Sequence, residues 1–148
     1  MKIVLQRVSR AAVRVEGRTV GEIGRGLLLL VAIERGDTES ILDSLADKVV
    51  NLRIFPDEAG RMNRSSLDDR AELLVVSQFT LAGSLERGRR PSFENAAAPE
   101  IAQELLERFL EKLRKTPLRV ETGRFRAAME VELVNDGPVT FVLEGGKA

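Results

Sequence analysis

The sequence predicts an α+β domain: a mixed, mostly antiparallel sheet curled toward a barrel, with two helices packed on it. Three observations carry that prediction. Strand-like segments outnumber helical ones, and the two do not alternate as they do in a doubly wound sheet. Residues 27–33 and 73–76 are apolar without a break, the mark of buried strands. Two longer stretches repeat apolar residues three and four apart, the spacing of a helix with one buried face.

In chain order, residues 2–9, 12–16 and 18–23 read as short strands, with turn signals at Gly17 and Gly24-Arg25-Gly26. Residues 27–33 form a central strand. Asp37 or Thr38 caps the first helix, whose apolar face is Ile41, Leu42, Leu45, Val49 and Leu52. The chain leaves that helix over residues 51–55 and loops at Pro56-Asp57-Glu58-Ala59-Gly60. Residues 73–81 are the next strand, and 83–98 are polar and irregular. Pro99 opens the second helix, where proline is tolerated because the first N–H has no partner in any case. Its apolar face is Ile101, Leu105, Leu106, Phe109, Leu110 and Leu113, and Pro117 ends it. Strands follow at 118–121, 129–135 and 139–144, and the tail 145–148 is expected to fray. No repeat, low-complexity tract or linker divides the chain, so residues 1–148 are expected to form one domain.

Composition narrows the chemistry. Among 148 residues, 23 are Lys or Arg and 23 are Asp or Glu, which argues against a general electrostatic binder of nucleic acid. A local basic patch remains open. The absence of cysteine removes disulfides, thiolate catalysis and the usual zinc sites. The absence of histidine removes the commonest general base and metal ligand. An enzyme built from this chain must rely on hydroxyls, Lys, carboxylates, backbone groups or the substrate itself. No segment is long and apolar enough to cross a membrane, and the start of the chain lacks the features of a signal peptide. The expectation is a cytoplasmic protein with no membrane contact.

Two motifs stand out. Asn135-Asp136-Gly137-Pro138-Val139-Thr140 lies between two apolar stretches and looks like a hairpin turn. Proline gives no N–H to a ladder and fixes φ, and an X-Pro bond can be cis for about 0.5–1 kcal/mol. One reading is an ordinary turn. The other is a rigid display of backbone carbonyls that filters a small ligand. Ser77-Gln78-Phe79-Thr80-Leu81 puts hydroxyls and an amide at the end of a buried strand, a position where sites are often built. It also fits a half-exposed strand with Gln out and Phe in. Arg87-Gly88-Arg89-Arg90 is either a solvated loop or a phosphate contact, and Arg7 carries the same ambiguity. Gly24-Arg25-Gly26 is no phosphate loop, and no pair of carboxylates has a spacing that demands acid–base chemistry.

Taken together, these motifs resemble the D-aminoacyl-tRNA deacylases of the Gly-cisPro type. The resemblance runs from the first strand through Leu143. It is carried by Gln6-Arg7-Val8, Arg53-Ile54-Phe55, Gly60-Arg61-Met62-Asn63, Ser77-Gln78-Phe79-Thr80-Leu81, Arg90-Pro91-Ser92-Phe93, Thr122-Gly123-Arg124-Phe125 and the segment from Asn135 to Thr140. It implies a homodimeric editing hydrolase, with sites shared across the interface. Such an enzyme cleaves the ester between a D-amino acid, or glycine, and the terminal ribose of tRNA, without metal or cofactor. Gly137-Pro138 would be the cis chirality filter, with Arg7 holding it by hydrogen bonds and Met129 in the substrate pocket. Thr80, Ser77, Gln78 and Phe79 would form the catalytic segment, with backbone N–H groups near Phe79 and Thr80 as oxyanion donors. A neighbouring ribose hydroxyl would help to activate the water. Thr80 is assigned to positioning, because a threonine without a base is a weak nucleophile. Two rivals stay open. One is a non-catalytic RNA-binding module using the segment from Arg87 to Arg90, and the other is a structural dimerisation domain.

Overall fold

The computed structural model describes residues 1–146; of the tail, residues 147–148 lie outside the described residues. Strand β1 (Lys2–Val15) is the spine of the molecule. It pairs antiparallel with β2 (Arg18–Ile23) and with β3 (Gly26–Ala32) along one edge, and with β8 (Glu130–Glu144) along the other. Beyond β3 the sheet turns parallel, through β6 (Glu72–Ser77) to β7 (Val120–Thr122). The order is therefore β2-β1-β3-β6-β7, with β8 on the far side of β1. The sheet curls until β2 faces β7: a Cβ at Gly21 would stand 2.4 Å from the carbonyl oxygen of Thr122. The barrel is nearly closed, as the sequence predicts.

Curling gives the sheet two apolar faces. Ile3, Leu5, Leu27, Leu29, Leu73 and Val75 point outward onto the helices α1 (Glu39–Asn51) and α3 (Pro99–Arg114). Leu42 and Val49 of α1 and Phe109 and Leu113 of α3 meet them, all four fully buried. Val8, Ala11, Val13, Leu28, Leu74 and Val76 fill the inside of the curl. In β1 the inward residues change from even to odd numbers because the register slips between Val8 and Arg10, the signature of a bulge. That slip makes one strand of the two segments expected at 2–9 and 12–16.

Thr38 is the N-cap of α1 and accepts a hydrogen bond from the N–H of Ile41. Pro99 takes the first turn of α3 as expected, but Ile101 stays 54 % exposed and leaves the apolar face to Leu106, Phe109, Leu110 and Leu113. A third helix, α2 (Ser66–Asp69), is a single turn closed by a capping box between Ser65 and Asp68. It follows a small hairpin of β4 (Phe55–Pro56) and β5 (Met62–Arg64). Gly145 is tied back by its N–H to the carbonyl of Met1, 3.0 Å away. No helix among the described residues is long and apolar enough to cross a membrane.

The largest departure from the sequence reading is in β8. The segment around Gly137 does not reverse the chain. Both flanks pair with the same strand, Asn135 with Val8 and Thr140 with Gln6, so residues 136–139 bulge out opposite Arg7 alone. Beyond the bulge, Glu132 binds Arg10 and Arg14 at 2.6 Å each, and these guanidiniums hold its carboxyl below the usual carboxylate range. Among the described residues, the other edge of β8 has no strand beside it.

Candidate active site

Strand β6 ends at Ser77, four residues earlier than the sequence reading has it. The N–H of Gln78 reaches the carbonyl of Val31 on β3 at 2.8 Å, and Phe79–Ala82 then winds into a single 3-10 turn. This break takes Phe79 and Thr80 out of the strand, while Ser77 stays in register with Val31. Gln78 Nε2 donates to Thr80 Oγ1. An amide is no base in either orientation, so nothing in this pair can take the hydroxyl proton. The ring of Phe79 is 57 % exposed and meets Phe93 edge to face, centroids 5.1 Å apart. Gly83 makes room for that ring, since a Cβ there would lie 2.9 Å from Phe93 Cε1.

Behind this segment lies a cavity of about 480 Å³. Ser77, Gln78, Phe79 and Met129 line it, over an apolar floor that includes Val31, Val76, Leu106 and Phe125. Met129 is seated by its neighbours. A Cβ at Gly123 would lie 2.6 Å from Met129 Sδ, and the N–H of Arg124 points to that sulfur at 3.4 Å. Mouth groups that are mostly neutral over an apolar floor suit a small organic group held by a few placed polar atoms.

Gly137, Pro138 and Arg7 do not line the cavity of their own chain, and neither does Thr80. Gly137 and Pro138 are exposed, and the bond between them is cis. Arg7 lies beneath the bulge, with Nε donating to the carbonyl of Asp136 at 3.1 Å and Nη1 to that of Ile54 at 2.6 Å. Asn135 fastens the bulge from its other side. Its Oδ1 accepts from the N–H of Val139 at 2.7 Å and its Nδ2 donates to Thr140 Oγ1 at 3.0 Å. Sequence reasoning gave Asn135 no role, although its preference for bonding nearby backbone was a usable signal. It also passed over Arg126, which lines the cavity.

A family profile described as D-Tyr-tRNA(Tyr) deacylase matches residues 4–144. The chain belongs to this deacylase family. A D-aminoacyl-tRNA deacylase of Geotalea uraniireducens (strain Rf4) is 58% identical over 99% of this chain and 95% of its own length. One from Thermotoga petrophila is 57% identical over 99% of each. Among solved structures, one described as c-Myc DNA unwinding element binding protein superposes with a TM-score of 0.93 at 43% identity, over 97% of this chain and 98% of that one. A probable eukaryotic D-amino acid tRNA deacylase shares the fold, with a TM-score of 0.84 at 19% identity over 96% and 97% of the two chains. Family membership makes this chain a hydrolase, and the cavity at the end of β6 is its candidate active site.

Proposed function

We propose that this single domain is an editing hydrolase of the cytoplasm. It cleaves the ester between a D-amino acid, or glycine, and the terminal ribose of tRNA. The observation that carries the reading is the separation of two parts on one chain. The cavity holds Ser77, Gln78, Phe79 and Met129, while the Gly137-Pro138 bulge stands exposed outside it. A filter cannot act on a cavity it does not line. A homodimer that seats each bulge at its partner's cavity supplies what each chain lacks, and the unpaired edge of β8 offers a self-complementary surface for it.

In that arrangement the backbone of Gly137 and Pro138 occupies the space an L side chain needs. A D side chain points away, and glycine has none to reject. Phe79 and Thr80 open the 3-10 turn, where the first N–H groups have no acceptor within the turn. They are the oxyanion donors, and one such donor is worth about 2.7–4 kcal/mol to the transition state. The water is oriented by the neighbouring ribose hydroxyl, so the chain's lack of histidine is no obstacle. Thr80→Ala should then slow turnover by about tenfold, the scale of one neutral hydrogen bond, with no acyl-enzyme trapped in the wild type. Complete loss, with an ester on Thr80 seen by mass spectrometry, would make it the nucleophile.

The reading is tested by following release of amino acid from D- and L-tyrosyl-tRNA in parallel, with a chelator present. Loss of the D ester alone is expected. A second reading, a nucleic-acid-binding module without turnover, draws support from the structural relative named for DNA binding. Binding of both tRNAs with neither hydrolysed would establish that module instead.

A further inference from the structure

Arg126 is the only charged residue among those lining the cavity. It is exposed, so it stands at the rim. Several exposed arginines, among them Arg18, Arg70 and Arg124, have no acidic partner among the described residues, so its place at the cavity is what sets Arg126 apart. The Arg126 guanidinium has no such partner and no hydrogen bond among the described residues. Its backbone is also unusual, with φ at 64°, in the left-handed region that side chains other than glycine rarely adopt. The turn that imposes this is closed by the N–H of Ala127 on the carbonyl of Arg124 at 3.3 Å, with Phe125 packed inward. A solvated cation with no acidic partner, fixed at the rim of the cavity by a tight turn, is placed to meet a charged part of whatever the cavity holds.

The chemistry of the ligand follows from the substrate. The inference rests on the deacylase reading. The cavity then takes an aminoacylated nucleoside whose own charge is the α-ammonium of the amino acid. A guanidinium repels that group, so the aminoacyl end must face away from Arg126. The nearest negative charge on the same substrate is the phosphate at the 5′ position of the terminal nucleoside. The planar guanidinium fork fits two phosphate oxygens at once. We propose that Arg126 binds the phosphodiester joining the terminal nucleoside to the rest of the RNA, so that the cavity prefers polynucleotide esters to free aminoacyl nucleosides.

Arg126→Gly is the informative variant, because glycine adopts the same φ freely and the fold is preserved. Two small substrates are compared: D-tyrosyl-adenosine, and the same compound with a methyl-esterified phosphate at the 5′ position. The wild type should favour the phosphorylated ester, and R126G should reduce that kcat/KM ratio by about tenfold, the worth of one charge-assisted contact. On D-tyrosyl-tRNA, the slope of log KM against log salt should become shallower by about 0.7. A ratio and a slope equal to those of the wild type would overturn the role of Arg126 while leaving the deacylase reading intact. Failure of the wild type to hydrolyse any of these esters would remove both.

Discussion

Replacing Gly137 with alanine is expected to cut hydrolysis of the D ester by about 100-fold, the cost of misplacing a positioning group by about an ångström. The fold should survive. A Cβ at this position would lie 2.6 Å from Val139 Cγ2 and 2.9 Å from the nitrogen of Val139, on a backbone with φ at +144°. Neither clash can be relieved by rotating a long flexible side chain, so the bulge itself must move. Its flanks need not, because Asn135 and Thr140 remain paired with Val8 and Gln6. The damage is thus confined to the four residues opposite Arg7. Circular dichroism should be unchanged while kcat/KM collapses, and retained activity with full chiral selectivity would sink the filter. Mixing separates a shared site from a self-contained one. Ser77→Trp would fill the cavity but leave the bulge intact. In an equal mixture with Gly137→Ala, exchanging subunits give one intact site in each mixed dimer. About a quarter of wild-type activity should return, whereas a self-contained site would recover none.

Gly26→Ala is expected to be the most damaging addition of a single methyl group to the fold. The new Cβ would stand 1.8 Å from the carbonyl oxygen of Glu72 and under 3 Å from its carbonyl carbon and nitrogen, at 2.7 and 2.8 Å. All three are backbone atoms, so no rotamer relieves the contact. Gly26 and Glu72 are register partners at the start of the parallel pair between β3 and β6. Accommodation means parting those strands, at a cost of about 3 kcal/mol or more. The urea midpoint measures it, and a midpoint equal to that of the wild type would show that the pair yields cheaply. The same ladder ends at Val31 and Ser77, so the surviving fraction should also lose activity through displacement of the proposed catalytic segment.

The sequence made the core legible where the physics is local. Residues 27–32 and 73–76 are strands because nearly uninterrupted β-branched and leucine runs need burial on both faces, and both strands have it. Thr38 and Pro99 mark helix starts because capping acts over a few residues. The capping box from Ser65 to Asp68 was equally local, but only one helical turn follows it, too short for a periodic pattern. The 136–139 segment could not be read this way. Its residues have the chemistry of a reversal, and whether the chain turns back or bulges depends on β1, which is distant in sequence. For the site, the strand end at Ser77 and its neighbours were visible as a motif. That the bulge lies outside the cavity of its own chain was implied only by the family resemblance and not by the residue pattern, because placement is a property of the closed sheet.

Strand β1 also governs how the chain reaches its fold. Its longest ladder joins it to β8, and partners such as Gln6 and Thr140 are 134 residues apart in sequence. Loop closure over that distance gains nothing until most of the intervening sheet is in place. On the ribosome, β1 must wait for β8 to be synthesised, while β2 and β3, only a turn away, can pair with it at once. The bulge that carries Gly137 and Pro138 is therefore among the last features to form. A chain stalled before that point would expose the long edge of β1, and with it the greatest opportunity to aggregate.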